Sequence, residues 1–183
     1  TLTKVGLVDR EGEFYGHSDF RTKNNPDFSS YLDKLQSEID KLTSVIDGEF
    51  EIKGIGVGAP NANYYRGTIE HAANLKWKGV IRFTEELKKK YDLPIYMTND
   101  ANAAAIGEMV YGNASDMKDF MVITLGTGLG SGIVSNGSLI YGYDAQAGEL
   151  GHITIIEGGR VCGTGRRGCL EAYVSSTGIK RTI

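Results

Sequence analysis

TLGTGLGSGI, residues 124–133, places glycine at 126, 128, 130 and 132, every second position. In a plain strand this is poor design, because glycine weakens a strand and packs nothing. Two readings account for it. One is a backbone loop that approaches a phosphate, with main-chain N–H groups and Thr127 as donors. The other is a bulged glycine strand beside a tight packing contact. The spacing leaves both open. It excludes two commoner phosphate loops. No Gly-Lys-Ser/Thr follows, as a Walker A loop requires, and Ser131 stands where the dinucleotide fingerprint needs its third glycine.

Outward from this stretch, the sequence organises as α/β. FMVITLGTGLGSGIVSNGSLI reads as two strands, with Asn136-Gly137 as a hairpin turn before SLIYG. Upstream, TLTKVGLVD and GEFYGHSDFR alternate apolar and polar residues around a turn at Glu11-Gly12, a hairpin signal. NNPDFSSYLDKLQSEIDKLTSVI spaces Phe28, Tyr31, Leu32, Leu35, Ile39, Leu42 and Ile46 along one helical face. Asn25 is its expected cap, with Pro26 in the first turn. EIKGIGVGAP is a buried strand ending in a glycine turn, GVIRFTEELKKKYDL a helix, and PIYMT a short strand. A helix follows from Asp100 to near Gly112, and CLEAYVSSTGI is a last helix that stops near Gly178. This order predicts a mixed sheet. A composition shift near 111–119 predicts two lobes, 1–111 and 112–183.

Composition narrows the function. The chain has 183 residues, 40% hydrophobic and 23% charged, which is ordinary for a globular protein. A net charge of −3 gives no electrostatic footprint for nucleic acid or anionic membrane. No apolar run is long enough to span a bilayer, and no signal peptide is legible. Two cysteines do not make a disulfide framework and point to a reducing, cytoplasmic setting. Of 25 glycines, about half lie between Gly112 and Gly168, so the second half should be rich in tight turns and backbone-lined sites.

Three further segments carry candidate chemistry. In YMTNDANAAAIGE, Asn99 and Asp100 precede an alanine-rich helix. Asp100 is either a helix cap or a general base at the end of a short strand, able to take a proton from a substrate hydroxyl. AGELGHI and GCLEAY place Glu149, His152 and Glu171 among glycines and apolar residues. Carboxylates that accept from adjacent hydroxyls suit a sugar, and turn charges on the surface are the other reading.

Together the segments resemble the ROK family of bacterial sugar kinases and related repressors. GIGVGAP (54–60), NLKW (74–77), NDANAAAIGE (99–108), LGTGLGSGI (125–133), GELGH (148–152) and CGTGRRGCLE (162–171) carry the resemblance, in order, over essentially the whole chain. It implies the actin-like, ribonuclease H-like ATPase fold, with two lobes around a cleft. It implies ATP-dependent phosphorylation of a hexose at the 6-hydroxyl, with Asp100 as catalytic base. Glucose comes first, with mannose, N-acetylglucosamine and N-acetylmannosamine open. The sugar would be held by Asn74, Asn99, Asp100, Glu149, His152 and Glu171. Gly126, Thr127 and Gly128 would face the phosphates of ATP, with Mg²⁺ bridging them. A cytoplasmic homodimer is implied as well. The other reading within the family is the sugar-sensing domain of a repressor.

The sequence departs from the family pattern in three places. Of the first phosphate motif, Asp-x-Gly-Gly-Thr, only Thr1 would remain, so the aspartate that helps place Mg²⁺ is not in this chain. The pattern also continues for roughly a hundred residues past a point like Ile183, so the chain reads as a fragment. The family's structural zinc takes one histidine and three cysteines. His152, Cys162 and Cys169 match, and Thr164 stands at the middle cysteine. A hydroxyl is a poor substitute for a thiolate. Both a metal-free pair of thiols and a weakened three-ligand zinc site follow from that change.

Overall fold

The computed structural model describes residues 2–45, 50–72 and 75–183. In chain order the elements are β1 (Leu2–Val8), β2 (Phe14–Arg21), α1 (Phe28–Ser44), β3 (Ile55–Gly58), β4 (Ala62–Asn63), β5 (Thr68–Glu70) and β6 (Val80–Ile81). Then come α2 (Phe83–Lys88), β7 (Ile95–Thr98), α3 (Asp100–Tyr111), β8 (Phe120–Leu125), β9 (Leu129–Ser135), β10 (Ser138–Leu139), α4 (Glu171–Val174) and α5 (Ser176–Lys180). The chain falls into two compact units. One holds residues 1–56 and 67–96, the other 57–66 and 97–183.

In the first unit, β1 and β2 form the expected antiparallel hairpin. Its turn is shaped by Asp9, whose Oδ1 accepts from the N–H groups of Glu11 and Glu13, and by Gly12 at φ 88°. Helix α1 packs across the hairpin through Tyr31, Leu32, Leu35 and Leu42. Its cap is Asp27, which accepts from Ser30 N at 2.8 Å, and not Asn25. Asn25 is engaged one step earlier, where its N–H and side-chain amide both donate to Thr22 O. Ile46, expected on the apolar face of α1, lies outside the described residues. Glu38 sits on that buried face instead, paired with Lys34, Lys41 and Ser18. These partners hold its carboxyl down at about 2. An aromatic cluster of Phe28, Tyr31, Trp77 and Phe83 completes this core. The expected helix at 79–93 is shorter than its pattern. Val80 and Ile81 pair instead with Glu70 and Ile69 of β5, as suits β-branched residues after Gly79 at φ 84°.

Strands β3 and β7 are hydrogen-bonded neighbours. Within the second unit, Ala59 N donates to Thr98 O at 3.0 Å. That unit is built on an antiparallel sheet in the order β10-β9-β8, against which α3 packs. Helix α3 therefore belongs to the second unit, a division that differs from a boundary at 111/112. Asn136 and Gly137, at φ 52° and 72°, make the predicted tight turn, and a third strand, β10, follows it. The predicted last helix is two short ones. Ser175 is extended at ψ 163° and caps α5, accepting from Gly178 N, so Gly178 lies inside a helix and does not end one.

Candidate functional site

The glycine stretch divides by what each glycine faces. A Cβ on Gly132 would stand 2.6 Å from Ala105 Cβ, and one on Gly130 2.8 Å from Ala101 Cβ. These two let β9 lie directly against α3, which is the packing reading. Gly126 faces open space, and a Cβ on Gly128 would meet only Glu171 Oε2, at 2.5 Å. Residues 126–128 are the turn between β8 and β9, closed by Gly126 N to Gly128 O at 3.0 Å. Thr127 is exposed there. The start of α5 braces the turn. Ser176 donates to Gly126 O from both its N–H (2.9 Å) and its Oγ (2.7 Å).

Asp100 enters from α3. Strand β7 ends at Thr98, and Asn99, extended at ψ 147°, is the N-cap, its Oδ1 accepting from Ala101 N at 2.8 Å. Asp100 is the first helical residue. Its Oδ1 lies 2.9 Å from the same N–H, and its side chain is exposed. Capping thus has its own residue. Asp100 stands in the first turn of a twelve-residue helix.

The GELGH segment is fastened to β9. Gly148, at φ 84°, and Gly151 allow the contact: a Cβ on either would press on Ser131 O or Leu129 O. Ser131 Oγ donates to Gly148 O and accepts from Leu150 N. Glu149 and His152 flank this turn, with His152 Nε2 3.8 Å from Glu149 Oε2. Burial pushes the Glu149 carboxyl above its ordinary value. His152 opposes the shift, and the charges of Asp100 and Glu171 add to it. Glu171 opens α4, and its Oε2 accepts from Leu129 N at 3.2 Å, beside the 126–128 turn.

The structure therefore brings Asp100, His152 and Glu171 within electrostatic reach of Glu149, all within one unit, with Glu171 beside the 126–128 turn. Asn99 serves as the cap beside them, and Asn74 lies outside the described residues. Two supporting residues escaped the sequence reading. Ser131 was legible only as a missing glycine. Asn63, buried, accepts from Tyr65 N and Arg66 N and donates to Asp144 O in the loop that leads to Glu149. A polar residue directly ahead of an aromatic pair was its only sequence signal.

His152, Cys162 and Cys169 also converge, with one ligand atom of each within 4.8 Å of the others. His152 Nδ1 is buried without a hydrogen-bond partner, as suits a nitrogen aimed at a metal. The nitrogen and two sulfurs match the donors zinc prefers, and Thr164, whose Oγ1 is 3.0 Å from Cys162 Sγ, offers only a hydroxyl beside them. Burial raises the Cys162 thiol, but hydrogen bonds from Cys169 and Thr164 outweigh it and leave Cys162 below its ordinary range. The hydrogen bond to Cys162, together with burial, pushes Cys169 up.

The family model for the ROK family matches residues 1–183. The chain belongs to the ROK family. It is 38% identical over 184 residues to the glucokinase of Halalkalibacterium halodurans, covering 99% of this chain and 56% of that protein. The crystal structure of a ROK family glucokinase from Streptomyces griseus, in complex with glucose and AMPPNP, superposes with a TM-score of 0.83 at 31% identity. That match covers 99% of this chain and 56% of the other. A xylose repressor of Caldicellulosiruptor bescii is 36% identical over 153 residues, 83% of this chain and 37% of the repressor. The chain thus spans little more than half the length of these two glucokinases. The α/β, actin-like ATPase fold implied by the sequence is the fold of this ROK chain. No helix among the described residues is long and apolar enough to cross a membrane.

Proposed function

We propose that the protein is a ROK sugar kinase that transfers the γ-phosphoryl group of ATP to the 6-hydroxyl of a hexose, glucose first among the candidates. The observation that supports this reading most is the placement of Asp100. It stands exposed at a helix N-terminus whose cap is supplied by Asn99, beside the carboxylates of Glu149 and Glu171. In this reading Asp100 takes the proton of the attacking hydroxyl. Glu149, Glu171, His152, Asn99 and Asn74 accept from or donate to the sugar hydroxyls. Gly126, Thr127 and Gly128 lie against the phosphates. Their hydroxyl and backbone groups suit phosphate oxygens, and Mg²⁺, when bound, supplies charge neutralisation. Phosphoryl transfer asks for this kind of positioning more than for covalent chemistry. His152, Cys162 and Cys169 would hold zinc as a three-ligand site. A cytoplasmic homodimer accompanies the reading.

The second reading, a repressor's sugar-sensing domain, is kept open by the match to the xylose repressor. Asp100→Asn in the full-length protein separates the two. Asparagine keeps the hydrogen-bonding shape but cannot take the proton. For a kinase, kcat falls by at least about a hundredfold while sugar affinity changes less. A variant that keeps more than about a tenth of the wild-type kcat would leave Asp100 without a role as base.

A further inference from the structure

Cys162 and Cys169 are seven residues apart in the chain, yet their Sγ atoms are 2.8 Å apart. Two thiolates on one tetrahedral zinc, each at about 2.3 Å, would be held about 3.8 Å from each other. The pair is closer than a shared zinc would set it. Backbone pairing produces the approach. Val161 and Arg167 form an antiparallel bridge, Cys162 N donates to Arg166 O at 2.8 Å, and Thr154 bridges Cys169 from the far side. With Thr164 at the position between them, no third sulfur competes for either partner. Their surroundings differ. Cys169 is fully buried, whereas Cys162 is 8% exposed.

We propose that Cys162 and Cys169 are a redox modification site that closes to a disulfide with a small-molecule disulfide, such as oxidised glutathione, as oxidant. Cys162 Sγ, on the less deeply buried of the two cysteines, attacks one sulfur of the oxidant. The S–S bond of the oxidant breaks, and one small thiolate leaves. Cys169 Sγ then attacks Cys162 Sγ, the mixed disulfide breaks, and the second small thiolate leaves. The two thiol protons end on the departing thiolates. The protein is oxidised by two electrons, and the oxidant is reduced to two thiols. Zinc and oxidation compete for the same two sulfurs, because a disulfide offers no thiolate to a metal.

The consequence reaches the candidate site through short connections. Glu171 is two residues beyond Cys169, and a Cβ on Gly163, next to Cys162, would sit 3.3 Å from Glu171 Oε1. The bridge would tie together the two loop positions nearest that carboxylate. In a reducing compartment such a bond is transient, which suits a responsive site rather than a structural one.

The test uses the full-length protein, treated with a chelator and exposed to oxidised glutathione, then denatured and alkylated. The expected result is loss of two hydrogens from the intact mass, no alkylation at either cysteine, and a Cys162–Cys169 cross-linked peptide that dithiothreitol reverses. Zinc added beforehand should slow the reaction, and Cys169→Ser should stop at one glutathione on Cys162. Two alkylated cysteines, or glutathione on both, would overturn the proposal. So would one zinc per chain that withstands the chelator and blocks oxidation.

Discussion

Asp100 and Glu149 share one small region, and the charge of Asp100 acts on Glu149. Asp100 is exposed at the start of α3, where Asn99 supplies the cap. Glu149 keeps about half of its side chain exposed, near two other carboxylates, and its carboxyl is raised from the ordinary 4.5. A raised acid binds its proton more tightly in the folded state than in the unfolded one. Its contribution to stability is therefore present in full below the ordinary carboxylate value, and is lost as pH rises through the raised one. At neutral pH the charge of Glu149 is a cost to folding, tolerated if that charge serves a ligand. Glu149→Gln should raise the Tm at pH 7, with the gain shrinking towards pH 4, while sugar affinity falls. Calorimetric melting of both proteins at the two pH values checks this, and an unchanged or lower Tm at pH 7 contradicts it. At this scale the sequence was partly readable. Asn and Asp before a helix leave cap and base open, since both roles use the same residues. Only the hydrogen bonds assign the cap to Asn99.

Among the elements, β9 shows why glycine spacing had two readings. The packing reading holds for two of the glycines, and the phosphate reading is left to the turn. Gly130 and Gly132 give way to α3, whereas Gly126 faces open space in the turn. Gly132→Ala should destabilise the protein by about 1–3 kcal/mol, because backbone and side chain of α3 leave no room for a methyl group. Gly126→Ala should leave stability nearly unchanged and weaken ATP binding instead. Denaturant unfolding and nucleotide titration of the two variants separate the roles, and the reverse pattern would assign them the other way. The main hairpins and α3 were legible because alternation, Asn136-Gly137 and Asn99 are local signals. The cap of α1, the shortness of α2 and the break between α4 and α5 were not. Each depends on a partner distant in sequence or on a competing hydrogen bond: Thr22 for Asn25, β5 for Val80 and Ile81, Ser175 for Gly178.

The whole molecule's assignment rests on motif order, which a single chain displays without any folding argument. The family followed from GELGH and CGTGRRGCLE standing at their spacing after the glycine turn. The structure then added the physical reason for that order: Ser131 and Leu129 of β9 hold the GELGH turn and Glu171. What motif order does not name is the sugar, because the pocket around the 2-substituent depends on residues with no motif of their own. The most direct test of the kinase reading is a coupled-enzyme assay of the full-length protein with ATP across glucose, mannose, N-acetylglucosamine and N-acetylmannosamine. ATP-dependent formation of a 6-phosphate, fastest with glucose, is the expected result. Tight sugar binding with no phosphoryl transfer to any of the four would contradict it, and would place the chain with the sugar-sensing members of the ROK family.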